Sequence, residues 1–177
     1  MRLNYRTDKM SDKILITFSS KYGSTAEIAG KINEIILEAG FETSLLPVDQ
    51  VKNVSEYKAV ILGSAVYIGR WRKKAKKFLK ANEKILADKP VWIFSSGPTG
   101  EGDPVELLDG WKYPKSLQAV ISNIKPRNIT LFHGAVITSK LSGLHKWMAN
   151  KVEAPVGDFR DWNAMTGWAK GIVTELQ

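Results

Sequence analysis

The segment Ser19-Ser20-Lys21-Tyr22-Gly23-Ser24-Thr25 concentrates hydroxyls, one lysine and one glycine directly after the apolar run Ile14-Leu15-Ile16-Thr17-Phe18 and directly before a helix-patterned stretch. A strand that turns through a small polar loop into a helix leaves the first backbone N–H groups of that helix without intrahelical partners, at the positive end of its dipole. Such a terminus attracts an anion, phosphate above all. Ser20, Ser24 and Thr25 add hydroxyl donors, and Gly23 lets the backbone come close. The spacing fits neither a Walker A loop, which needs Gly-Lys-Ser/Thr, nor the Gly-x-Gly-x-x-Gly of dinucleotide sites. A capped helix start after a buried strand is the plain structural alternative.

Two further segments have compatible chemistry. Gly63 to Trp71 carries Ser64, Ala65, Val66, Tyr67, Ile68 and Gly69: small residues, an aromatic, then a glycine. Small residues let the backbone reach the edge of a ring system, and Tyr67 could stack on its face. A turn whose tyrosine covers a strand end is the alternative. Ser95, Ser96 and Gly97 open a stretch that runs to Pro104, with hydroxyls, backbone donors and little bulk. It suits contact with a polar ring edge, and a Gly/Pro-rich surface loop has the same composition.

These segments must be held by elements that place them together. Helical spacing appears at Ile28, Ala29, Ile32, Ile35, Ile36 and Ala39, with Gly40 as the stop. It recurs at Trp71, Ala75, Phe78, Leu79 and Leu86, at Leu117, Val120, Ile121 and Ile124, and at Trp162 to Leu176 with Asp161 as N-cap. Between them lie short apolar runs at Thr43–Leu46, Ala59–Leu62, Val91–Phe94 and Ile129–Ile137, the pattern of strands buried on both faces of a parallel sheet. The order predicts an α/β, doubly wound sandwich: a five-stranded parallel sheet of order 2-1-3-4-5 with helices on both faces. Ligands of such sheets sit beyond the carboxyl ends of the strands at the switch point, where all three loops would converge. A response-regulator receiver shares this architecture but needs acidic residues after strand 1 and an aspartate after strand 3. Ser19-Ser20 and Gly63-Ser64 stand there instead.

A length of 177 residues fits one domain, expected over 13–177, with 1–12 as a mobile N-terminal tail and Met10 as an alternative start. The absence of cysteine excludes disulfides and thiol chemistry, and His133 and His145 are too few for a histidine-rich metal centre, so no metal is expected. No apolar run spans a bilayer and the N-terminus is too polar for a signal peptide. A soluble cytoplasmic protein is expected, with peripheral attachment to the inner face of a membrane left open.

Ser20–Thr25 resembles the Ser/Thr-x-Thr/Tyr-Gly-x-Thr phosphate loop of flavodoxin-like proteins, whose ligand is flavin mononucleotide (FMN). With Val60–Trp71 and Gly157-Asp158-Phe159-Arg160-Asp161-Trp162, the chain resembles the flavodoxin-domain branch that contains menaquinone-dependent protoporphyrinogen IX dehydrogenases. That resemblance implies FMN-dependent oxidation of protoporphyrinogen in haem synthesis, with electrons passed to a quinone. It would place the phosphate on Ser20, Lys21, Tyr22, Gly23, Ser24 and Thr25, the ring along Ser64 to Gly69, and its far edge on Ser95, Ser96 and Gly97.

The chain departs from electron-carrier flavodoxins, which usually place a tyrosine in the third loop and are acidic. Residues 95–104 hold no aromatic, and the formal charge is +8. An uncovered ring face favours an enzyme acting on a small molecule, porphyrinogen or quinone. A non-enzymatic carrier docking a redox protein and an NAD(P)H-dependent quinone reductase are the alternatives. Residues 70–89 carry nine Lys/Arg against two acids, a solvated helix face or a field for an acidic partner, propionates or anionic lipid. Nucleic acid is not expected, because the apolar stripe of that helix faces the core and no aromatic platform accompanies it. An insert over 139–157 carries Leu141, Leu144, Met148 and Val152 at helical spacing among lysines, as a lid, a membrane-resting piece or a packed satellite helix.

Overall fold

The computed structural model describes residues 12–140, 142–143, 147 and 155–177. The expected tail, apart from Asp12, lies outside the described residues, as do Leu141, Leu144, His145, Met148 and Val152 of the expected insert. The elements, in chain order, are β1 (Ile14–Ser19), α1 (Ser24–Glu38), β2 (Thr43–Pro47), β3 (Ala59–Tyr67), β4 (Arg70–Trp71), α2 (Lys73–Ala81), α3 (Glu83–Ala87), β5 (Val91–Ser96), α4 (Gln118–Ile124), β6 (Asn128–Phe132), β7 (Ala135–Val136), β8 (Gly157–Asp158) and α5 (Trp162–Leu176).

The sheet order is β2-β1-β3-β5-β6 with every neighbour parallel, the expected 2-1-3-4-5 order once the two-residue β4, antiparallel to β3, is set aside. Alternation along each strand sends its side chains to opposite faces. Leu15, Val60, Leu62, Val91 and Ile93 meet Ala75, Phe78, Leu79 and Leu86 of α2 and α3, and Val120, Ile121 and Ile124 of α4. On the other face Ile14, Ile16, Ile61, Trp92 and Phe94 meet Ile28, Ile32 and Ile36 of α1, and Met165, Ala169 and Ile172 of α5. Burial on both faces explains why the central strands read as continuous apolar runs. Asp161 caps α5 as expected, its carboxylate accepting from the N–H groups of Asn163 and Ala164. Among the described residues no helix is long and apolar enough to cross a membrane.

Two expectations change in detail. The stripe from Trp71 to Leu86 is not one helix: Trp71 belongs to β4, and Asn82 separates α2 from α3. The Asn82 amide donates to the Phe78 carbonyl at 2.9 Å, a side-chain bond that competes with helix continuation. The run Ile129–Ile137 is not one strand either. β6 stops at Phe132, because Gly134 must pass close to Gly97, and Ala135–Val136 then pairs with Gly157–Asp158 in a separate small sheet.

Gly63 in β3 lies over the Phe94 ring, where an added Cβ would stand 2.1 Å from Cζ. Gly63→Ala is expected to lower stability by about 2 kcal/mol through overpacking, read as a lower urea midpoint at unchanged slope.

Candidate functional site

In-register pairing puts Ser19, Ser64 and Ser95 side by side at the carboxyl ends of β1, β3 and β5. The three loops leave the sheet from this row, so the register itself brings them together. Direct contacts then lock them. The Thr25 and Ser96 hydroxyls are hydrogen-bonded at 2.9 Å and both are buried, joining the start of α1 to the end of β5. Tyr22 and Tyr67 meet edge to face at 6.4 Å. Gly97 packs so tightly on the second loop that a Cβ there would come within 2.7 Å of Val66 Cβ.

The first loop has the features of an anion cradle. Gly23 adopts φ +94, a conformation suited to glycine, and donates its N–H to Ser20 Oγ at 3.1 Å. Its carbonyl receives the N–H of Glu27, leaving the earlier N–H groups of α1 directed out of the helix end. No side chain caps this terminus. Ser24 Oγ is buried there and has no hydrogen-bond partner among the described residues. A small cavity of ≈ 10 Å³, about one water, adjoins it between Tyr22, Ser24, Glu27, Lys140 and Arg160. Lys21 is exposed, its ammonium 5.2 Å from the Tyr22 ring centre.

The second loop is a hairpin turn, which sequence reading missed. Ile68 (φ +50) and Gly69 (φ +65) connect Tyr67 to Arg70 with left-handed backbone at both central positions. Hairpins use such turns readily with Asn-Gly, a signal absent from Ile68-Gly69. Ile68 is strained in this region and 69% exposed. Tyr67 is half-buried beside the Arg72 guanidinium, and burial pushes its phenol up to about 12. Ser64 is fully buried and its hydroxyl is spent on the chain, donating to the Ala65 carbonyl and accepting from the Arg72 N–H. Ala65 is buried and Val66 half-buried below the turn.

The third loop is strapped down from both sides. Ser95 Oγ accepts from the Trp71 indole N–H at 2.8 Å and donates to the Lys112 carbonyl at 2.6 Å. On the other side Gly97 N–H donates to the Phe132 carbonyl, and Gly134 N–H to that of Pro98. Both ring nitrogens of buried His133 lie on carbonyl oxygens of this loop, 3.1 Å from Pro98 and 2.8 Å from Gly102. Outside the strap a cleft of ≈ 680 Å³ opens over the edge of β6, between Asp103, Leu131, Phe159 and Trp168. Neither of the first two loops lines it. Of the residues singled out in the sequence, those in 20–25, 64–69 and 95–97 all come to one edge, but Ser64 and Ser95 point their hydroxyls into the protein.

Sequence reading also missed His133, Glu27 and Arg160 as parts of this edge, and it ended the second loop at Trp71 without the bond from its indole to Ser95. Arg160 Nη1 pairs with Glu27 at 2.6 Å, and its Nε and Nη2 grip Asp158 at 2.7 and 2.6 Å. The hydrogen bonds from Arg160 hold both carboxyls below their ordinary values of 4.5 and 3.8. No group of His, Asp and Glu among the described residues could hold a metal ion.

A family model described as a flavodoxin domain matches residues 15–162. No curated protein matches in sequence. Among solved structures, the rubredoxin oxygen:oxidoreductase of the anaerobe Desulfovibrio gigas is similar with a TM-score of 0.63 and 16% identity, over 94% of this chain and 36% of that one. The chain thus spans about a third of that oxidoreductase. A flavodoxin from the domain Archaea matches with a TM-score of 0.60 and 13% identity, over 93% of this chain and 98% of its own. The Streptococcus pneumonia TIGR4 flavodoxin matches with a TM-score of 0.58 and 14% identity, over 92% and 99%. At these identities the likeness is one of fold.

Ile68→Asn relieves the left-handed strain and is expected to raise stability by about 1 kcal/mol, seen as a higher urea midpoint. Because Glu27 and Asp158 have lowered values in the folded chain, their contribution is full above pH 4.5 and is lost as pH falls through those lowered values. A stability–pH profile should therefore decline on the acid side, and Arg160→Ala should flatten that decline.

Proposed function

Because the chain belongs to the family of flavodoxin domains, we propose that it binds FMN across the three loops and works as an FMN-dependent oxidoreductase, oxidising protoporphyrinogen IX and passing electrons to a quinone. The observation that carries the cofactor is Ser24 Oγ, buried at the head of α1 with no partner among the described residues. Buried polar atoms are normally satisfied, and a phosphate oxygen over the N–H groups of this helix end would satisfy it. The residues present fit the group: Gly23 keeps the approach open and no side chain caps the terminus.

Ser20, Lys21, Tyr22, Gly23, Ser24 and Thr25 hold the phosphate in this reading. Thr25 does so while fixed to Ser96, so the phosphate end and the far ring edge are set relative to each other. Ala65, Gly69 and Gly97 offer backbone and little bulk to the ring, Val66 and Ile68 offer backbone and an apolar surface, and Tyr67 stands at its rim. Ser64, Ser95 and Ser96 work indirectly, by fixing the loops that carry those groups. The bound flavin supplies the electron transfer. Around it the chain binds and orients, and the tight packing of Gly97 on Val66 holds the second and third loops together. The lack of an aromatic over 95–104 leaves room for a substrate above the ring, which supports an enzyme. The porphyrinogen and quinone assignment is supported by the resemblance of the Val60–Trp71 and Gly157–Trp162 segments.

A second reading, a carrier that docks an acidic redox protein, is favoured by one feature. Lys73, Lys77, Lys80 and Lys84 are all exposed at spacings of four, three and four, a single basic stripe down α2 and α3. Among the described residues only Lys74 of α2 has an ion pair, with Asp49. The same stripe would suit contact with an anionic membrane surface.

An FMN titration followed by quenching of flavin fluorescence tests the cofactor. Saturable binding is expected, weakened at least about tenfold in a Ser24→Ala, Thr25→Ala double variant, the loss of roughly two hydroxyl hydrogen bonds to a charged phosphate. Porphyrinogen oxidation that needs both FMN and menaquinone would support the enzyme. Flavin reduction without such turnover, but with salt-sensitive electron transfer to an acidic protein, would support the carrier. No FMN binding would remove both.

A further inference from the structure

A carboxylate stands where an anion is to be held. Glu27 lies in the first turn of α1, and its Oε1 would be 3.6 Å from a Cβ placed on Gly23. It lines the small cavity at the helix head together with Tyr22 and Ser24. A carboxylate at this position favours the helix dipole but repels a phosphate arriving at the same N–H groups. Two cations answer it, Arg160 at 2.6 Å and Lys140 at 3.4 Å.

The two are not equivalent. The Arg160 side chain is only 5% exposed, whereas that of Lys140 is 48% exposed, so solvent screens the lysine more. Arg160 is also fixed from its other side. Asp158 takes Nε and Nη2 in a bidentate grip, and the Trp162 ring lies 4.6 Å from the guanidinium carbon. Asp158 belongs to β8, so the guanidinium is aimed by the small β7–β8 sheet and not by α1. The charges of Glu27, Asp158, Arg160 and Lys140 cancel. Without Arg160 one excess negative charge remains at the mouth of the cradle.

The geometry points to Arg160 as a positioning residue for the anion cradle: by neutralising Glu27 it makes the first loop acceptable to a phosphate, and so sets a preference for a phosphorylated over an unphosphorylated flavin. This rests on the FMN reading and goes beyond it, since Arg160 lies far along the chain from the loop it serves. Its effect is electrostatic and local. It therefore reaches the phosphate and leaves the ring contacts of the second and third loops unchanged.

Riboflavin, which lacks the phosphate, is the control ligand, and dissociation constants for FMN and riboflavin are measured at low salt. Arg160→Ala is expected to weaken FMN about tenfold and riboflavin less than about twofold. Arg160→Lys retains most of the FMN affinity, and Glu27→Gln restores it in the Arg160→Ala background. Glu27→Gln alone, which leaves Arg160 on Asp158, tightens FMN and not riboflavin, and it serves as the test should Arg160→Ala not fold. Equal loss of both flavins, failure of Glu27→Gln to restore binding, or weaker FMN binding in Glu27→Gln alone overturns the inference. Wild-type protein that does not bind FMN overturns the cofactor reading instead, and this inference with it.

Discussion

Burial of the parallel strands on both faces is the constraint from which the rest follows. Residues Ile14 to Thr17, Ala59 to Ser64 and Val91 to Ser95 have almost no exposed surface, so their backbone groups are paired within the sheet and their side chains with the helices. Polar chemistry has no place along such strands and is driven to their ends. At the carboxyl edge the register aligns Ser19, Ser64 and Ser95, and each strand there releases a loop. At the amino edge, where β1 and β3 begin, the Lys58 N–H donates to the Lys13 carbonyl. A single geometric fact about the sheet thus selects where a ligand can be met.

What turns three adjacent loops into one site is a small set of buried and half-buried polar contacts. Thr25 with Ser96 links the first to the third; Trp71 with Ser95 links the hairpin to the third; His133 with Pro98 and Gly102 ties the third to β6. The Thr25–Ser96 and Trp71–Ser95 bonds are buried, in a low-dielectric place where a satisfied polar pair is rigid and a missing partner is costly. The serines of the site therefore divide by task. Ser64, Ser95 and Ser96 hold the edge together, whereas the buried Ser24 hydroxyl has no hydrogen-bond partner among the described residues.

Charge is distributed with the same economy of position. The basic stripe on α2 and α3 points to solvent, while Glu101, Asp103, Glu106 and Asp109 are exposed along the third loop and its continuation. Around Glu27 the charges balance instead, its carboxylate and that of Asp158 being met by Arg160 and Lys140, so the dipole at the head of α1 is not opposed by a net negative charge.

The sequence by itself determined the fold class, the order of the parallel strands, the two helix faces and the position of the first loop. Apolar runs without alternation, the stripe from Ile28 to Ile36, Gly40 and the capping Asp161 are local signals, each read from spacing alone. Tertiary structure decided the rest. The hairpin at Ile68-Gly69 carries no usual turn signal and exists because Trp71 finds Ser95 across the sheet. The break after Phe132 follows from the close approach of Gly97 and Gly134, which no periodicity records. Glu27 and Arg160 lie at opposite ends of the chain, and only packing of the β7–β8 sheet against the head of α1 makes them partners. Spacing reports which face a residue takes on its own element; which distant group it meets depends on register and close packing, and these exist only in the folded chain.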